Sequence, residues 1–79
     1  MNQKIIEKVK EVTSRVLKDD RILNSDNFSL DNCENLDSVN RVAIITELED
    51  VYEVVFKIKE LSSWNTVNEL VEIIEKHLS

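Results

Sequence analysis

Leu36-Asp37-Ser38-Val39-Asn40-Arg41-Val42-Ala43-Ile44-Ile45-Thr46-Glu47-Leu48-Glu49-Asp50-Val51-Tyr52 runs on without a glycine or a proline. Asp and Ser at its head are residue types that begin helices, because their short side chains accept from backbone N–H groups left free there. At a step of 100° per residue, Val42, Ile45, Leu48, Tyr52 and Val55 share one broad apolar face. The spacing therefore predicts a helix from near Ser38 to about Val54, with that face as the centre of the core. The other arc holds Ala43, Thr46, Glu47, Asp50 and Glu53, and Val39 projects among them. An exposed apolar residue within an acidic arc reads either as a contact kept for a partner or as one stray valine on a solvated face.

Upstream, Ile5, Ile6, Val9, Val12, Val16 and Leu17 recur at helical spacing with Lys8, Glu11, Arg15 and Lys18 opposite, which predicts a helix over 5–17. Residues 19–36 lose that period and are rich in Asp, Asn and Ser, with Ile22, Leu23, Phe28, Leu30 and Leu36 as anchors. This reads as a long ordered loop, and a loop of that length in a small domain points to function. Downstream, Phe56, Ile58 and Leu61 among Lys57, Lys59 and Glu60 suit one or two short helical turns. The β-branched pair Val54-Val55 also suits a strand, but no partner strand is visible. Thr66-Val67-Asn68-Glu69 matches a capping box, so a last helix starts there with Val67, Leu70, Val71, Ile74 and Leu78 inward. The expected fold is all-α: a small four-helix bundle of three main helices, one short helix and a long first loop, forming a single domain over 1–79.

Composition narrows the function classes. With 42% hydrophobic and 33% charged residues, the chain has the balance of a folded soluble domain and not of a disordered one. The absence of Gly excludes the dinucleotide fingerprint, the Walker A loop and the Gly-flanked nucleophile elbow, each of which needs a backbone without Cβ. It also favours helices joined by Asn, Asp and Ser loops over turns that need left-handed residues. One cysteine, Cys33, gives no internal disulfide, and together with the single His77 it does not make a zinc site. Cys33 reads as structural or simply exposed, and a reducing cytoplasm is the expected compartment. Lys4, Glu7 and Lys8 interrupt any apolar leader, so the chain is expected to be unprocessed, with no membrane insertion. The loop acids from Asp26 to Glu34 lack calcium-loop spacing, so no metal is expected.

A net charge of −6 disfavours nucleic acid and anionic lipid as partners and favours basic proteins. The acids are concentrated: residues 19–53 hold ten Asp or Glu against Arg21 and Arg41, whereas residues 1–18 hold five Lys or Arg against two Glu. No base stands near Ser38 in sequence, and His77, in the last helix, reads as packed or frayed rather than catalytic. Tyr52, Phe28, Phe56 and Trp64 read as core or core-edge aromatics.

The segment Leu36-Asp37-Ser38-Val39 at the head of an acidic helix, followed by Leu48-Glu49-Asp50, Tyr52 and the Thr66-Val67 pair, resembles the acyl carrier proteins and their peptidyl and D-alanyl carrier relatives over most of the chain. The resemblance implies that a separate transferase attaches 4'-phosphopantetheine from coenzyme A to Ser38, beside Asp37. The arm's thiol then carries acyl groups as thioesters, and the chain itself catalyses nothing. It also implies a phosphopantetheinyl transferase and acyl- or aminoacyl-loading ligases, synthases or transferases as partners, with the carrier monomeric. A helix start suits a phosphodiester, since free N–H groups and the positive dipole end face it.

Two features depart from the family pattern: Asn35 replaces a usual glycine, a position where Asn tolerates positive φ, and Arg41, Lys57 and Lys59 are basic where fatty-acid carriers are acidic or neutral. The basic residues favour a specialised fatty-acid, lipid or polyketide pathway. Trp64-Asn65-Thr66 is similar to D-alanyl carriers, which keeps aminoacyl and peptidyl cargo as an alternative. Two other readings stand beside these. Ser38 taken alone also reads as a plain helix cap, worth about 1 kcal/mol, and the whole chain also reads as an unmodified helical adaptor for basic partners. On the partner side, Val39, Ala43, Glu47, Asp50 and Glu53 are the expected contact residues.

Overall fold

The computed structural model describes residues 2–25 and 28–79. Met1, Asn27 and Asp26, the first of the loop acids, lie outside the described residues. Three α-helices form the frame: α1 over Gln3–Leu17, α2 over Ser38–Tyr52 and α3 over Val67–Leu78. The short fourth element is a 3₁₀ turn over Ile58–Leu61, so the all-α bundle is the one the sequence implies.

α1 and α3 are one-sided helices. α1 buries Ile5, Val9, Val12 and Leu17, and α3 buries Val67, Leu70, Val71 and Ile74. Two buried hydroxyls on α1 are satisfied by their own helix, with Thr13 Oγ1 donating to Val9 O at 2.7 Å and Ser14 Oγ to Glu11 O at 3.1 Å. The backbone N–H of Asn2 donates to Glu75 at 2.9 Å, joining the start of α1 to α3.

α2 shifts the expected face: Ile45, Leu48 and the half-buried Tyr52 do pack inward, but Val42 and Val55 do not. Ile44, Ile45 and Leu48 are its buried residues, whereas Val42 is 56% exposed and Val55, beyond the helix, is 80% exposed. Apolar residues stand on both sides of α2, so periodicity alone did not select the inner one. The inner row begins with Arg41, whose guanidinium lies 4.7 Å from the centroid of the fully buried Trp64 ring.

α2 also stops at Tyr52, two residues before the expected end. Glu53 takes the left-handed conformation there (φ 55°, ψ 45°) and its N–H donates to Glu49 O. Lys18 closes α1 in the same conformation. Left-handed caps are thus present, built without glycine, at a steric cost of roughly 1–2 kcal/mol for each residue that carries a Cβ.

The long first loop holds more structure than its sequence suggests. It contains 3₁₀ turns over Asp20–Asn24 and Leu30–Asn32, which bury Ile22 and Leu30, while the expected anchor Leu23 is half exposed. Leu30 N donates to Asn65 O at 2.7 Å and Val67 N donates to Phe28 O at 3.2 Å, so the loop is pinned against the start of α3. Residues 54–55 form no strand among the described residues; the one β-type pairing there is the isolated bridge between Ser29 and Thr66.

Candidate functional site: the start of α2

The loop reaches α2 through a set of side-chain ties. Asp19 grips Arg21 through several short bonds, the closest at 2.6 Å, and Arg21 in turn donates to Asn32 O at 3.2 Å. The Cys33 thiol, buried, donates to Asp19 at 3.3 Å. Burial and the adjacent carboxylate push that thiol up to about 11, so Cys33 is an inert structural thiol. The Arg21 guanidinium holds the Asp19 carboxyl well below the usual carboxylate range. Next, Asn35 Nδ2 donates to Leu17 O at 2.9 Å and Asn40 Nδ2 donates to Asn35 O at 2.7 Å. Asn35 is not in the left-handed region. It fastens the loop to the end of α1 without adopting the positive φ that the sequence reading allowed for it.

Asp37 is the helix cap, with extended backbone and Oδ1 accepting from Asn40 N at 2.8 Å. This overturns the plain-cap reading of Ser38, because the capping role is taken by its neighbour. Ser38 is the first helical residue, exposed, and its hydroxyl makes no hydrogen bond among the described residues. Asp37 takes the Asn40 N–H, and the earlier N–H groups of the first turn have no intrahelical acceptor, a helix start suited to a phosphodiester oxygen.

Past Ser38, Val39 is 73% exposed, Asp50 and Glu53 are exposed, and Ala43 is half-buried. Glu47 differs from the other acids. Arg15 binds it through two bonds of 2.6 Å, which lowers the Glu47 pKa and raises that of Arg15. Its charge is already neutralised within the chain. Arg41 is likewise engaged within the chain: Nη1 donates to Trp64 O at 2.8 Å and Nη2 to Asn65 Oδ1 at 3.2 Å, so its basic group is turned toward the bundle.

Beside Val39, two further apolar side chains are exposed that the sequence reading did not place here. Val42 lies three residues beyond Val39 on the helix, and Ile58 is 88% exposed on the 3₁₀ turn that packs near α2. The Val39–Val42 spacing of one turn was the available signal. His77, expected to be packed or frayed, is packed: it stacks on Phe56 at 5.4 Å and bonds Glu60 at 2.8 Å. Among the described residues no cluster of His, Cys, Asp and Glu could hold a metal ion, and no helix is long and apolar enough to cross a membrane.

The three-helix frame and the pinned loop thus leave an unbonded serine at the head of the central helix. The family model for the phosphopantetheine attachment site matches residues 3–74, and the chain belongs to that family, the one that includes the acyl carrier proteins. No curated protein and no solved structure matches it. Domains of this family bear 4'-phosphopantetheine, carry and do not catalyse, and work with modifying transferases and acyl-handling enzymes.

Proposed function

We propose that Ser38 is the residue that bears the arm, and that the chain is a monomeric, one-domain acyl carrier of the cytoplasm serving a specialised fatty-acid, lipid or polyketide pathway. The observation that carries this reading is the division of labour at the start of α2: Asp37 caps the helix, which leaves the Ser38 hydroxyl exposed and unbonded. Asp37, Asp50 and Glu53 meet basic residues of the partner enzymes, and Val39 enters an apolar pocket on them, with Ala43 beside it. Glu47 contributes at the edge, where Arg15 must release it. Complementary charge of this kind raises the encounter rate and leaves affinity modest. Lys57 and Lys59, exposed beside Ile58, support a specialised set of partners.

Aminoacyl cargo is the second reading, favoured by Trp64-Asn65-Thr66, although in this fold Trp64 and Asn65 hold Arg41 and Thr66 caps α3. The test is to incubate the chain with coenzyme A, magnesium and a broad-specificity phosphopantetheinyl transferase and read the intact mass. The expected result is one phosphopantetheine on the wild type and none on Ser38→Ala. An unmodified wild type would favour the adaptor.

A further inference from the structure

Ile58 is 88% exposed and stands between Lys57 and Lys59, both exposed as well. The 3₁₀ turn that carries it is nevertheless firmly held. Phe56, buried just before it, donates its N–H to Glu49 of α2 at 2.8 Å, and Glu60 bonds both Lys57 N and His77 Nε2 at 2.8 Å. Ile58 is therefore kept in water by a built turn and is not left there by fraying. Single exposed apolar residues are ordinary, but a contiguous set marks a contact surface. Val42 and Glu49 are seven residues apart on α2 and so share a face, which means that the turn joins α2 on the side of the exposed Val42, with Val39 one turn away. Around the helix the order is Asp50, Val39, Val42 and then the face of Glu49. The basic residues between 19 and 63 are Arg21, Arg41, Lys57 and Lys59. Arg21 is bound to Asp19 and Arg41 to Trp64 O and Asn65, whereas Lys57 and Lys59 make no ion pair among the described residues. The surface thus runs from acid through apolar residues to base.

Resting on the carrier reading of Ser38, we propose that Lys57-Ile58-Lys59 is a second docking element, which fits an apolar socket rimmed by Asp or Glu on a partner enzyme. The partner's surface is then two-signed: basic where it meets Asp50 and Glu53, acidic where it meets the turn. Such a pattern fixes the direction in which the carrier lies across the enzyme, because reversing it would set like charges against each other. An anionic lipid surface suits the turn less well, since it would repel the acids of α2 beside the lysines and a chain of net charge −6.

The experiment follows backbone amide shifts of the ¹⁵N-labelled chain by NMR on titration with end-blocked synthetic peptides: Glu-Glu-Leu-Leu-Glu-Glu, its Lys-for-Glu counterpart, and Glu-Glu-Ser-Ser-Glu-Glu. The expected result is that the Glu-Leu peptide moves the amides of residues 56–60 and leaves those around Asp50 and Glu53 in place. The Lys-Leu peptide should do the reverse, and the Glu-Ser peptide should bind the turn more weakly than Glu-Leu. Ile58→Ser should weaken Glu-Leu binding about three- to tenfold, the effect of partly burying one aliphatic side chain. Lys57→Glu combined with Lys59→Glu should abolish it. All three side chains are exposed, so the far-UV circular dichroism of the variants should match wild type. Shifts centred on the basic residues of α1, or equal shifts from Glu-Leu and Glu-Ser, overturn the docking element. So does binding to phosphatidylserine vesicles that the lysine variant loses, which would assign the turn to a membrane. Phosphopantetheine mass gain with an unmoved turn removes the docking element alone, whereas a moved turn on a chain that gains no mass keeps the element and removes the Ser38 reading.

Discussion

α2 begins at Ser38 behind the Asp37 cap, and α3 begins at Val67 behind the Thr66 cap. In each, the cap's side-chain oxygen accepts from the N–H three residues on, Asn40 N at 2.8 Å and Glu69 N at 3.2 Å. Behind the α3 cap the first helical residue is fully buried, and Glu69 reaches back to Asn65 N and Thr66 N at 2.8 and 3.0 Å. Behind the α2 cap the first residue is exposed, and the third, Asn40, reaches back to the loop carbonyl of Asn35. The same local chemistry thus makes one helix start a joint of the core and leaves the other open to solvent. A carrier needs both: a fixed platform, and a hydroxyl that the platform does not use.

The comparison breaks most forcefully at Trp64, which fills the core just before the α3 start and holds Arg41 of α2. Trp64→Ala should lose about 3–5 kcal/mol of stability, measured by urea denaturation followed by far-UV circular dichroism. A loss below about 1 kcal/mol, the range of surface changes, would mean that the two helix starts are not coupled through this ring.

Removing the caps separates the two starts. Thr66→Ala should cost about 1–2 kcal/mol, because the reciprocal Glu69 bonds loosen with it, and Asp37→Ala about 1 kcal/mol or less. Asp37→Ser, which keeps a capping oxygen, should be close to neutral in the same urea assay. A larger loss at Asp37 than at Thr66 would reverse the assignment of platform and open end.

Acid probes the ties that hold the loop below Ser38. The Asp19, Glu47 and Glu60 carboxyls are all held below their ordinary values, Asp19 and Glu47 mainly by hydrogen bonds from Arg21 and Arg15. For Glu60 the first cause is the Lys57 backbone N–H, with His77 second. A depressed native value means that the unfolded chain binds the proton more readily, so this stability is present above the ordinary carboxylate range and is lost as pH falls through about 4 and below. Urea midpoints between about pH 6 and pH 3 should fall, and fall less steeply for Asp19→Asn. An identical slope in that variant would show that the Asp19–Arg21–Asn32 chain does not hold the loop.

The smallest expected effect on stability sharpens the comparison from the other side. Ser38→Ala should leave stability within about 0.5 kcal/mol of wild type, since the Ser38 side chain bonds nothing among the described residues. A clear loss would mean that the hydroxyl is part of the platform after all.

The sequence disclosed α1 and α3 well because each carries its apolar residues on a single side, and Thr66 and Glu69 stand at the spacing a capping box requires. It disclosed the open end of α2 through Asp37-Ser38, although the cap fell to Asp37. On the inner face of α2 it found Ile45, Leu48 and Tyr52 but took in Val42 and passed over Ile44, because Val39, Val42 and Val51 give the outer side nearly the apolar character of Ile44, Ile45 and Leu48. Arg41 was illegible for a different reason. Its inward role depends on Trp64, 23 residues away, and no local rule predicts a guanidinium folded over a distant indole. The 3₁₀ turns of the first loop escaped because each is only a few residues long and is stabilised by nonlocal ties such as Leu30 N to Asn65 O.

The central claim is that the arm goes on the serine that the Asp37 cap leaves free. The most direct measurement is site localisation: modify the wild-type chain with coenzyme A and the transferase, cleave with trypsin, and sequence the modified peptide by tandem mass spectrometry. The account predicts phosphopantetheine on the peptide from Ile22 to Arg41, with fragments placing it on Ser38 and not on Ser25 or Ser29. Modification at any other serine, such as Ser62 or Ser63, or a peptide from Ile22 to Arg41 that stays unmodified, would contradict it.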